Sequence, residues 1–187
     1  MLSFFYKIDN RKDKEMEVFM KALISENRST KIPEEKDYFG KLIGEWGFSW
    51  HDGIGTEKER IVKGEWIFSR ILEGTGIQDL FICPSREERK KIMEPDAEYG
   101  TTIRTYNPNT GNWDIYYCCY GESTRLEAVK EEDKIILTEI TKGEMKWMFS
   151  DIQENSFLWQ RLIKNKEGEW MVNCNCQAIR KILNEVL

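Results

Sequence analysis

The chain has one histidine, four prolines and no long apolar run in its 187 residues, and each scarcity removes a class of protein. A single histidine excludes a histidine-rich metal site. No hydrophobic stretch approaches the length of a membrane span. The opening Leu2-Ser3-Phe4-Phe5-Tyr6 is too short for a signal-peptide core and runs into charges rather than a small-residue cleavage site, so a cytoplasmic protein is expected. Positive charge is not in excess: the net charge is -5, and acids interrupt even the basic stretch Arg86 to Lys91. A nucleic-acid footprint, which needs a basic face, is therefore not expected. Neither a Gly-x-Ser-x-Gly elbow nor a phosphate-cradling glycine loop ending in Lys-Ser/Thr is present. The five cysteines are an odd number with no Cys-x-x-Cys pair, and Cys174-x-Cys176 lacks histidine partners. Buried reduced thiols are the expectation, with no metal and no cofactor.

What is present is a ladder of short β-rich runs between tight turn signals. The signals are Asn107 to Asn112, Lys130 to Asp133, Lys142 to Glu144, Gln153 to Asn155 and Lys166 to Gly168. Aromatic and β-branched residues fill the runs between them. Strands are expected near 43–51, 61–73, 76–83, 98–106, 112–120, 123–130, 134–141, 145–152, 156–165 and 169–180. About ten strands joined mostly by hairpins imply an antiparallel up-and-down barrel. A β-sandwich would need longer crossings between sheets, and the short links after Tyr106 argue against it.

Two longer connections, His51 to Arg60 and Pro84 to Ala97, are expected at or beside an open end, the second with a helical turn near Ser85 to Ile92. Asn10 to Asn27 reads as a helix capped by Asn10, with Met16, Phe19, Met20 and Leu23 on one face. That face would pack on the rest of the domain or serve as a homodimer contact. Arg28 to Lys36 reads as a linker. The division expected is 1–37 for helix and linker and 38–187 for the barrel.

Gly44-Glu45-Trp46 opens the first strand and Arg180 ends the last. A Gly-x-Trp facing a late Arg resembles the lipocalin and calycin superfamily, in which the guanidinium stacks on the indole at the closed end. A longer set of segments, Lys63 to Phe68, Ile77 to Asp79, Glu98 to Pro108, Trp147 to Ile152 and Ser156 to Arg161, is similar to a family of uncharacterised bacterial lipocalin-like barrel proteins. The resemblance covers Phe39 to Lys181 and leaves out the N-terminal helix. It implies a calycin-type fold and no particular reaction. Arg86 to Met93 is longer and more basic than that family suggests. Haem-binding barrel proteins called nitrobindins carry their ligand histidine late in the chain, where this sequence has none, and His51 reads as a solvated residue at a loop edge.

Strand parity then groups candidate lumen residues. Trp170, Val172, Cys174, Cys176, Ala178 and Arg180 form the expected inward set of the last strand. Trp66, Trp147, Phe149 and Trp159 would supply aromatic walls, with Tyr117 beside them. Arg70, Arg104, Arg125 and Arg161 are candidate anchors for a carboxylate or phosphate. The competing reading for any one Arg is an internal bridge, with Asp79, Glu127, Glu139 or Asp151 as partner, or a surface position. The expected function is a barrel holding a small hydrophobic or amphipathic molecule that can carry an anionic group. One alternative is an enzyme of cyclase, isomerase or hydrolase type, drawing on Glu98 with Tyr99, Tyr106, Tyr116 and Tyr117. The other is an interaction protein with a filled barrel.

Overall fold

The structure is a computed structural model describing residues 10–91 and 97–181, with the side chains of Asn10 and Arg11 left aside. The Leu2 to Tyr6 segment, the capping role of Asn10, and Ile92 and Met93 in the second long connection lie outside the described residues and side chains. Among the described residues, ten antiparallel strands close into one barrel. In chain order they are β1 (Gly44–Asp52), β2 (Arg60–Ile71), β3 (Gly76–Cys83), β4 (Glu98–Asn107), β5 (Asn112–Cys119), β6 (Glu122–Glu131), β7 (Lys134–Glu139), β8 (Met145–Ser150), β9 (Ser156–Lys164) and β10 (Trp170–Arg180). Each pairs with its sequence neighbour, and β1 pairs with β10, setting Trp46 opposite Arg180. All five turn signals fall at the junctions between consecutive strands.

Boundaries differ where backbone geometry overrides composition. The second run stops at Ile71, because Leu72, Glu73 and Gly74 all take positive φ and turn the chain. The N-terminal helix α1 (Asn10–Leu23) ends before Asn27. There Ile24 forms a bridge with Ile71, and the Ser25 amide donates to the Arg70 carbonyl, so strand-like pairing takes over from helix. Most of the apolar face of α1 is uncovered among the described residues: Met16 and Phe19 are 64% and 63% exposed, and of that face only Leu23 is partly buried. The segment read as a linker is built into the fold, with Ile32 fully buried and Asp37 held by Arg70.

One end of the barrel is closed by a 3-10 turn, Tyr38–Leu42, whose Tyr38, Phe39 and Leu42 enter the core. Phe39 sits edge-on to Trp113 and Phe149, and burying a ring of that size stabilises by roughly 2–3 kcal/mol. The plug's polar groups are satisfied as they go under. The Tyr38 hydroxyl donates to the Ala128 carbonyl, the Trp113 indole to Lys36 and the Trp46 indole to Leu42. Arg180 completes the closure, with its guanidinium carbon 4.0 Å from the centroid of Trp46. It also donates to the carbonyls of Ile43, Lys41 and Glu154 at 2.7, 3.1 and 2.7 Å. Gly44 is required beside it, since φ is +123° and a Cβ there would lie 2.5 Å from Arg180 Nη1.

The expected inward set of β10 holds for Cys174, Cys176 and Ala178 and fails for Trp170 and Val172. A bulge between Val172 and Cys174 shifts the register against β9, which reverses the facing before it. Trp170 therefore lies outside, with the Lys146 and Lys164 ammonium groups over its ring.

Candidate ligand-binding site

Strand direction puts the β1–β2 and β3–β4 connections at the end opposite the plug, and there the packing opens. A cavity of about 50 Å³ is walled by Trp50, Trp66, Phe81, Trp147 and Trp159, with Thr102, Glu98, Tyr117 and Arg161 among them. It shares Trp50, Phe81, Glu98 and Arg161 with a wider, more polar mouth of about 280 Å³ that adds Asp52, Arg60, Cys83 and Glu122. The walls hold one another through ring contacts, Trp147 edge-on to Tyr117 and the tryptophan pairs tilted. Trp147 lies 5.8 Å from Trp159 and 5.3 Å from Tyr117, and Trp50 lies 5.7 Å from Trp159. These rings meet because each occupies alternate positions on neighbouring strands: Phe149 opposes Trp159, and Trp147 opposes Arg161.

Polar groups in this chamber fall into two kinds. The first is internally paired. The Tyr117 hydroxyl donates to Glu98 Oε1, and burial pushes the Glu98 carboxyl above its ordinary range. The Tyr117 hydroxyl is pushed up as well, first by burial and then by the Glu98 charge. Asp52 and Arg60 face each other at 3.6 Å in the mouth.

The second kind is unanswered. The indole N–H groups of Trp147 and Trp159 are buried without an acceptor among the described residues. Arg161 is held by one bond, Nε to Asn173 Oδ1 at 2.7 Å, with no ion pair within 4 Å among the described residues. The bulge that displaced Val172 is what brings Asn173 to it.

Of the candidates named from the sequence, Trp66, Tyr117, Trp147, Trp159 and Arg161 line this one cavity. The other candidates go elsewhere. Phe149 is fully buried among Phe39, Trp66 and Phe157, in the floor beneath the chamber. Arg70 is spent on a bidentate bond to Asp37 at the closed end. Arg104 pairs with Asp79 at 2.5 Å inside the wall. There burial pushes the Asp79 carboxyl up, against the pull of Arg104 and of the Trp66 and Thr102 side chains. Arg125 is not in the lumen: it is exposed on the outer face, 5.1 Å above the Tyr116 ring, because the inward positions of β6 are Leu126 and Ala128. Tyr99 and Tyr116 are also outside, and Tyr106 packs on Trp113 near the plug.

Trp50 and Phe81 were missed as wall residues, although Trp50 is in step with Trp46 and Phe48 on β1. His51 bonds Glu59 at 2.7 Å and closes the β1–β2 loop rather than facing the cavity. Cys174 and Cys176 are buried, with burial raising the Cys174 thiol to about 11, so neither is a poised nucleophile. Among the described residues no cluster of His, Cys, Asp or Glu is arranged to hold a metal, and no helix is long and apolar enough to cross a membrane.

No family model matches the sequence, and no curated protein matches it. Among solved structures the chain is similar to an S-type phycobiliprotein lyase, CPES, from Guillardia theta. The TM-score is 0.56 at 10% identity, over 81% of this chain and 95% of that one. At that identity the likeness is one of fold, and the fold here is a closed ten-strand antiparallel barrel.

Proposed function

We propose that the open half of this barrel binds a small, largely apolar molecule carrying a carboxylate, and that it does so in the cytoplasm. The observation that carries the reading is Arg161, free of any ion pair among the described residues, beside an aromatic chamber in which the Trp147 and Trp159 indole N–H groups lack acceptors among the described residues. A buried donor left unmade costs about 1–3 kcal/mol, which an incoming oxygen recovers. Arg161 offers the planar, doubly donating edge that suits a carboxylate. The narrow chamber takes the edge of a ring or a short chain, and the wider mouth takes the remainder. Its volume of about 280 Å³ lies at the small end of ligand sites. The fold shared with a phycobiliprotein lyase is compatible with a barrel that handles a small molecule.

The test is a tryptophan-fluorescence titration with fatty acids and aromatic acids, each beside its neutral alcohol, together with native mass spectrometry of protein from its own host. Acids should quench and alcohols bind more weakly. Arg161→Gln should cut acid affinity tenfold or more and leave the alcohols unchanged. An apo mass together with a silent panel would overturn the proposal.

A further inference from the structure

Resting on that binding reading, we infer that the chamber enolises its ligand: Glu98 takes and returns a proton on the carbon next to a carbonyl, and the Trp147 and Trp159 indoles hold the oxygen. The substrate class is then a small carboxylate bearing an enolisable ketone, such as a 2-oxo acid.

Four groups around one cavity make the case. Binding alone needs the anchor and the walls. It does not need a carboxylate in the wall of an apolar chamber beside the anchoring cation, and it does not need neutral donors buried without acceptors. Enolisation needs both. In the step, the α C–H bond breaks and its proton goes to a Glu98 oxygen. The electron pair forms the carbon–carbon double bond, while the carbonyl π pair moves onto oxygen. The resulting enolate oxygen accepts from the Trp147 and Trp159 indole N–H groups, which are already buried and without an acceptor among the described residues. Return of the proton from Glu98, to the same face, to oxygen or to a conjugated carbon, gives exchange, the enol or a shifted double bond. Atoms and electrons balance without a co-reactant.

Tyr117 is a positioning residue. Its hydroxyl fixes Oε1 of Glu98 and leaves Oε2 for the proton. The charged and titratable groups that bear on Glu98 are Tyr117, Glu122, Arg161 and Asp79; burial, joined by the like charges of Glu122 and Asp79, outweighs the pull of Tyr117 and Arg161, which makes the carboxylate a better base than a solvated one.

The experiment incubates the protein in D2O with pyruvate, 2-oxohexanoate and phenylpyruvate and follows loss of the α-proton signal by NMR, with binding read in parallel by fluorescence. At least one bound probe should exchange tenfold or more above the protein-free rate. Glu98→Gln should return it to that rate with affinity within threefold. Glu98→Asp, which keeps the charge but draws it back, should bind and lose most of the exchange. Tyr117→Phe should move the acid limb of the pH–rate profile upward, because the carboxylate loses a stabilising donor. Binding without exchange, or exchange undiminished in Glu98→Gln, overturns the inference and leaves the binding proposal standing. No binding of any probe removes both.

Discussion

Arg104 meets Asp79 at 2.5 Å with both side chains shut away from solvent, and the guanidinium lies between the rings of Phe39 and Phe68 at 5.1 and 5.4 Å. The same residue type on the same inner surface, Arg161, has no ion pair among the described residues and is held by Asn173 alone. The first belongs to the fold, and the second lines the proposed site. Arg104→Met strands a buried carboxylate and should cost about 3–5 kcal/mol in urea denaturation. Arg161→Met should cost under about 1 kcal/mol, as its removal leaves only Asn173 without a partner. Equal losses at the two positions would contradict this division.

Arg180 should be nearly as costly for a different reason. It links β10 to the chain before β1 and to the turn after β8 through three carbonyls, besides covering Trp46. Arg180→Ala should lose about 2–4 kcal/mol, since several charge-assisted bonds go together. Arg180→Lys should recover little of it, because an ammonium cannot serve three divergent acceptors and an indole face at once. Ligand titration of the two variants, where folded, should match the parent.

Glu65 gives the stability its acid dependence. Bonds from Arg86, and then Lys181, hold its carboxyl at about 2, against 4.5 when unfolded. The folded value is depressed, so the stabilisation is fully present above pH 4.5 and is lost as pH falls toward 2. The shift is worth roughly 2–3 kcal/mol once the partial exposure of both cations is allowed for. Glu65→Gln should lower stability by that amount at pH 7 and converge with the parent near pH 2. A constant offset down the whole range would place the effect in packing rather than in charge.

The barrel was legible because two local signals agreed. Turn residues at regular spacing fixed the hairpins, and a period of two fixed which side chains share a face. Trp147, Trp159 and Arg161 followed from parity alone. What parity cannot carry is the choice of partner or any break in the count. Arg70 and Arg104 shared the pattern of Arg161, yet Asp37, in the segment before the plug, and Asp79, on the neighbouring strand β3, claim them. Trp170 and Val172 were misplaced because one bulge at Asn173 reverses the facing, and no composition signal marks it. The helix face was legible as amphipathic, but nothing local tells whether such a face is covered.

Gly100 tests whether the Tyr117–Glu98 pair shapes the chamber. Its φ is not unusual, so only space is at issue. A Cβ would lie 2.8 Å from Tyr117 Cε2 and 2.9 Å from its hydroxyl. The ring cannot yield easily, being tied to Glu98 on one side and set edge-on to Trp147 on the other. Gly100→Ala should therefore cost about 1–3 kcal/mol as overpacking. It should also push Tyr117 off Glu98 and alter the emission of Trp147. Ligand affinity should fall with it, unlike in Arg180→Lys, where stability falls and affinity holds. A Gly100→Ala protein with parental stability and affinity would show that the ring moves freely and that its bond to Glu98 does not order the site.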